Sequence, residues 1–147
     1  MRGELVFLDV NIPMYAAGQA HPLKKACAWV MEEVAEGRFK VAIDTEIVQE
    51  IMYRYGTLRQ FDIAATIAEA VMDLVHVVYP IQPADVRTTI DLFRKYAPQG
   101  VTARDILHTA VMQNNDLTEI ISTDNHFDLI EGINRLDPQL LFAQSRD

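Results

Sequence analysis

Four short apolar runs punctuate the chain: "LVFL" at 5–8, "KVAI" at 40–43, "LVHVVY" at 74–79 and "EIIS" at 119–122. Rich in Val, Ile and Leu and too short for helices, they predict strands. Between them apolar residues recur every three or four positions, which predicts helices over 22–36, 46–55, 61–72, 84–96 and 102–114. In the first of these, Leu23, Ala26, Cys27, Val30, Met31 and Val34 fall on one stripe. Gly37 stands where a helix commonly closes, and Pro98 with Gly100 separates the last two helical segments. The tail from Ile133 offers a short edge strand near Arg135 to Asp137, limited by Pro138.

Near-continuous apolar strands alternating with long helices predict an α/β fold, a parallel sheet buried on both faces and joined by helical crossovers. A chain of 147 residues is the size of one domain, and no repeat or linker divides 1–147. An apolar run of only four residues leads into Asp9 and no run of eighteen occurs, so the expectation is a cytoplasmic protein, neither secreted nor membrane-spanning. The single cysteine, Cys27, reads as a small buried hydrophobe, and no internal disulfide can form. A net charge of −8 argues against a broad basic face for nucleic acid.

In an open parallel sheet, ligands collect outside the carboxyl ends of the strands. There the chain places acids: Asp9 and Asn11 after the first strand; Asp44, Thr45, Glu46 and, one turn on, Glu50 after the second; Thr123, Asp124 and Asn125 after the last. Asp105, in the first turn of the helix leading into the last strand, can point to the same edge. Each acid also has a local reading. Asp9 can cap a turn, Glu50 can pair with Arg54 at i+4, Asp124 can open a turn through Asn125, and Thr102 to Asp105 has capping-box spacing. Together they point elsewhere. Carboxylates gathered at one edge repel unless cations neutralise them, and oxygen ligands without a Cys or His cluster favour Mg²⁺ or Mn²⁺ and phosphodiester chemistry.

The histidines compete weakly. His21 stands beside Pro22 at a helix start, His76 lies inside an apolar run where a core or sheet-face role is expected, and His126 reads as a loop residue near the acids. His108, three residues after Asp105, shares its helical face and can hydrogen-bond to a carboxylate or to the scaffold.

"FLDVN", "TEIVQEI", "ARDILHTA" and "ISTDNHFD", in this order and spacing, resemble the acidic motifs of the PIN-domain ribonucleases, especially the VapC-type toxins. The resemblance covers residues 5 to about 138. It implies that Asp9, Glu50, Asp105 and Asp124 are the catalytic, metal-holding acids. Glu46 competes for the second place, but Thr45 precedes Glu50 by the five positions usual in the family. Asn11 and Thr123 match polar residues bordering such sites, with His108 and Asp128 further out. The resemblance further implies a five-stranded parallel sheet sandwiched by helices, a homodimer, Mg²⁺- or Mn²⁺-dependent cutting of RNA, and a small antitoxin partner.

Counting out four metal-neutralised acids takes the net charge from −8 to −4, leaving Arg54, Arg59 and Arg104 as candidates to guide a phosphate backbone. Met14 and Tyr15 belong either to a partner surface or to the core. Two other readings stand beside the nuclease. An aspartate-nucleophile phosphatase of the haloacid dehalogenase type also begins with a strand ending in Asp, but its D-x-D pattern fails here at Asn11. A PIN-like scaffold that binds RNA or protein without cutting has against it the presence of all four acids.

Overall fold

The computed structural model describes residues 4–146. Five strands, β1 (Leu5–Leu8), β2 (Lys40–Asp44), β3 (Val77–Tyr79), β4 (Glu119–Ile121) and β5 (Asn134–Leu136), form one parallel sheet in the order β3-β2-β1-β4-β5. The helices are α1 (Asn11–Ala17), α2 (Lys24–Ala35), α3 (Thr45–Thr57), α4 (Phe61–Leu74), α5 (Pro83–Tyr96), α6 (Ala103–Asn114) and α7 (Pro138–Ser145). This is the α/β class that the alternating pattern predicts.

Strand order follows from burial. Val6, Phe7, Leu8, Val41, Ala42, Ile43, Ile120 and Ile121 have no exposed surface, so β1, β2 and β4 are covered on both faces and form the middle of the sheet. β3 and β5, with no fully buried residue, form its edges. The chain steps outward from β1 through β2 to β3, then returns with β4 on the other side of β1. The β1–β4 boundary is therefore the topological switch point, where a crevice opens beyond the strand ends. The helices pack in groups over the sheet: α1 on α2 and α2 on α7, α3 on α4, and α5 on α6.

Two expectations are corrected and two helices are added. The run 74–79 is strand only from Val77, because Leu74 completes α4 and Val75 closes it. His76 is accordingly exposed in the connection, not packed in the core, and only its backbone N–H reaches β2, donating to the Val41 carbonyl at 2.9 Å. Residues 11–17, given no element by periodicity, form α1, since Pro13 lies in the first turn, where a missing N–H costs no intrahelical bond. Pro138 does limit β5, which ends at Leu136, but it also opens α7 at its first position behind the Asp137 cap.

Met14 and Tyr15 pack against the core from α1, so their core reading stands. Cys27 is fully buried and burial pushes its thiol up to about 12, so it is inert at neutral pH. Gly37, at φ +77°, closes α2 as its position in sequence suggests. No helix among the described residues is long and apolar enough to cross a membrane.

Candidate active site

The switch point determines which side chains meet. Asp9 follows β1 directly, and its backbone N–H donates to the Ile121 carbonyl at 3.0 Å, extending the β1–β4 ladder by one residue. The apolar strand thus delivers a carboxylate, 2% exposed, to the sheet edge. That carboxylate is held by three donors: the Val10 N–H at 2.8 Å, Asn11 Nδ2 at 3.1 Å and Ser122 Oγ at 2.6 Å. Ser122 Oγ also accepts from the Asp124 N–H at 3.0 Å, so one hydroxyl sets the spacing of two acids.

Asp9, Glu50, Asp105 and Asp124 line one cavity of about 390 Å³, together with Asn11, Arg54, Thr102 and Arg104. Glu46 stands outside it, a quarter exposed, with Arg104 Nε 3.4 Å away. Glu50 is nearly buried on the inner face of α3, where the i+4 pair with Arg54 forms at 2.8 Å and Arg104 Nη1 lies at 3.6 Å. The i+4 ion pair is therefore part of the cavity wall. Thr102 caps α6 by accepting from the Asp105 N–H at 3.2 Å, but the Asp105 carboxyl turns into the cavity towards Asp124 and does not complete a capping box.

Electrostatics separate the acids. Burial, then the neighbouring Asp9 and Asp124, pushes the Asp105 carboxyl up to about 7. Burial also raises Asp9, against the pull of His108 and Ser122. Burial works in the same sense on Glu50, but His108, Arg54 and Arg104 outweigh it and hold that carboxyl below the usual range. Asp124 is likewise lowered, because His126 donates to Oδ1 through its backbone N–H at 2.9 Å and its ring at 2.8 Å. His126 is thus a direct partner of Asp124.

Three residues carry more than their sequence positions suggest. Asp44, wholly buried at the end of β2, accepts from the Ile47 N–H as the cap of α3 and from the His108 ring at 2.7 Å. Ser122 holds Asp9, as above. Arg135 donates to the Ser122 carbonyl at 3.1 Å while both oxygens of Asp128 hold its guanidinium. Asp128 therefore lies outside the cavity and acts through Arg135. Thr123 contributes its backbone N–H, which donates to Asn11 Oδ1 at 3.4 Å. Arg59 lies beyond the cavity lining, against the Phe61 ring.

Among the described residues no three His, Cys, Asp or Glu side chains converge tightly enough to coordinate an ion as they stand; the acids ring the cavity. Their chemistry nonetheless fits a hard divalent cation. The donors facing the cavity are carboxylate oxygens, and the raised Asp105 records a repulsion that positive charge would relieve.

Residues 6–133 match the PIN domain. The chain is 36% identical over 132 residues to ribonuclease VapC13 of Mycobacterium tuberculosis, covering 90% of this chain and 99% of that protein. It is 30% identical over 124 residues to ribonuclease VapC23 of the same species, covering 82% and 94%. VapBC2 of Rickettsia felis, solved with a promoter DNA fragment, superposes with a TM-score of 0.70 at 13% identity over 91% of this chain and 100% of that one. VapC20 of Mycobacterium tuberculosis, a sarcin-ricin loop cleaving toxin, also gives 0.70, at 12% identity over 86% and 94%. At these identities the two structures speak for the fold.

Proposed function

The chain belongs to the PIN-domain family, and from that premise we propose that it is a divalent-metal-dependent endoribonuclease, the toxin of a toxin–antitoxin pair, acting on RNA in the cytoplasm. One observation carries this reading: four acids from four separate segments line a single cavity at the switch point of the sheet. Asp9, Glu50, Asp105 and Asp124 would hold Mg²⁺ or Mn²⁺, which when bound supplies the positive charge that polarises water and the phosphodiester.

The chain's own groups have distinct tasks. Asn11 and Ser122 fix Asp9 by donating to one of its oxygens, Oδ2, which leaves Oδ1, bonded only by the Val10 N–H, the freer of the two. Burial and its acidic neighbours push the Asp105 carboxyl up to about 7, so positive charge arriving in the cavity would compete with its proton. Arg54 and Arg104, with side chains 50% and 38% exposed at the cavity wall, offer guanidinium groups to the RNA backbone. Such a restricted basic contact is compatible with the net charge of −8.

The partners are proposed on the same footing. One solved structure of similar fold is a toxin–antitoxin complex from Klebsiella pneumoniae, and an apolar groove of about 480 Å³ between α3 and α4, lined by Val48, Met52, Ala65 and Met72 and edged by Glu69 and Asp73, suits an apolar segment with basic flanks. A homodimer is supported by Val86, Ile90 and Phe93, which leave one stripe of α5 about half exposed.

The test compares wild type with Asp9→Asn on structured RNA, with and without Mn²⁺. Mn²⁺-dependent cleavage by wild type that the variant loses is the expected result. Equal cleavage by both sinks the site assignment, and RNA binding without any cutting makes the protein a binding module.

A further inference from the structure

Glu50 is held by cations of two kinds. On the cavity side Arg54 and Arg104 approach Oε2 at 2.8 and 3.6 Å, on side chains that are substantially exposed. On the core side, the wholly buried His108 presents Nε2 to Oε1 at 3.9 Å, an electrostatic contact longer than a hydrogen bond. Nε2 has no hydrogen-bond partner. The opposite ring nitrogen is fixed by Asp44 Oδ2 at 2.7 Å, while Asp44 Oδ1 accepts from Ile47 N–H at 3.0 Å in the first turn of α3. One buried carboxylate thus ties the start of α3 to the ring that faces Glu50 a turn later.

The chemistry of the ring follows from its neighbours. Each nitrogen faces a carboxylate oxygen, an arrangement that favours N–H over a bare lone pair on both sides of the ring. A buried donor just short of an acceptor is a contact that a small rotation of the carboxylate would close. The arginines differ, because exposed guanidiniums have phosphate as an alternative partner whereas a buried ring has none.

We propose that Asp44 and His108 form a positioning pair for Glu50, keeping its carboxylate oriented into the cavity when Arg54 and Arg104 turn to the RNA backbone. The proposal rests on the nuclease reading above and adds to it a buried support that stays in place through substrate binding.

The test uses the full chain with His108→Asn, which retains a donor for Asp44 and removes the one facing Glu50, alongside Glu50→Gln and the double variant. Mn²⁺ affinity is read by calorimetry and RNA cleavage by steady-state kinetics. Mn²⁺ affinity and kcat each fall about 10- to 100-fold in His108→Asn, as for other residues that orient a metal ligand. KM for RNA stays essentially unchanged, and the double variant binds Mn²⁺ no more weakly than Glu50→Gln alone. A folded His108→Asn with wild-type affinity and kcat overturns the proposal, as does a loss that adds in full to that of Glu50→Gln. Should His108→Asn fail to fold, the ring ¹⁵N resonances of His108 in wild type are followed through a Mg²⁺ titration. A saturating shift that is absent in Glu50→Gln supports the positioning role, and unmoved resonances overturn it. Wild type that neither binds Mn²⁺ nor cuts RNA overturns the nuclease reading and this role with it. Active wild type with an indifferent His108→Asn overturns this role alone.

Discussion

Asp105 shows how a single residue couples charge to stability. Its carboxyl titrates near 7 in the folded chain and near 3.9 when unfolded, so between those values the native state binds the proton more tightly. The contribution of Asp105 to stability therefore falls as pH rises from about 4 to 7. Without divalent ions, Asp105→Asn should melt above wild type at pH 7 and converge with it towards pH 4, as thermal scans in chelator would show. Equal melting at both pH values would mean that Asp105 is not strained by its neighbours. His108 works at higher pH. Held up to about 10 by Asp44 and Glu50 against the opposing effect of burial, it contributes stability that is complete below about 6.5 and lost as pH rises through 10. Residue identities also mark the limit of the sequence. Asp9, Asp105 and Asp124 were legible as acids at the ligand-bearing edge, and Glu50 was preferred to Glu46 only on the family resemblance. The partners of Asp44 and Ser122 were not legible, because a cap and a strand terminus have the same local signature with or without a distant partner.

At the level of elements, α6 links local folding to the site. Thr102 caps the helix through the Asp105 N–H, so Thr102→Ala should cost about 1 kcal/mol and lower the melting temperature by roughly 2–4 °C for a chain of this size. Because the same turn aims Asp105, cleavage should fall more than the stability loss alone would produce, a comparison made well below the melting temperature. The pattern of 3.6 made α2 through α6 readable, with ends displaced by at most two residues. It failed at α1 and α7, seven and eight residues long, which show too few turns for a period. Both carry Pro in the first turn, where it opens a helix as readily as it ends a strand. The 74–79 run failed differently: its apolar residues serve the end of a helix and then an edge strand, and no change in hydrophobicity marks the join.

For the whole molecule, charge and surface decide the partners. Mn²⁺ should raise the melting temperature at pH 7 and do so more weakly at pH 5, where the proton on Asp105 competes with the ion; an equal rise at both pH values would separate metal binding from Asp105. If the α5 stripe joins two copies, Ile90→Asp should convert a dimer to the 16.7 kDa chain in sedimentation. A dimer unaffected by that change would place its interface elsewhere.

The α/β class, the buried strands and the acids at their ends were readable along the chain, because burial on a regular backbone imposes periods of two and 3.6 that any single segment displays. Tertiary structure alone decided which of those groups meet. Asp44 and His108 are 64 residues apart and Asp9 and Ser122 are 113 apart. Asp9 meets Ser122 because the chain returns β4 to the side of β1, and Asp44 meets His108 because α6 crosses the sheet on the way there, closing distances for which a local pattern carries no signal.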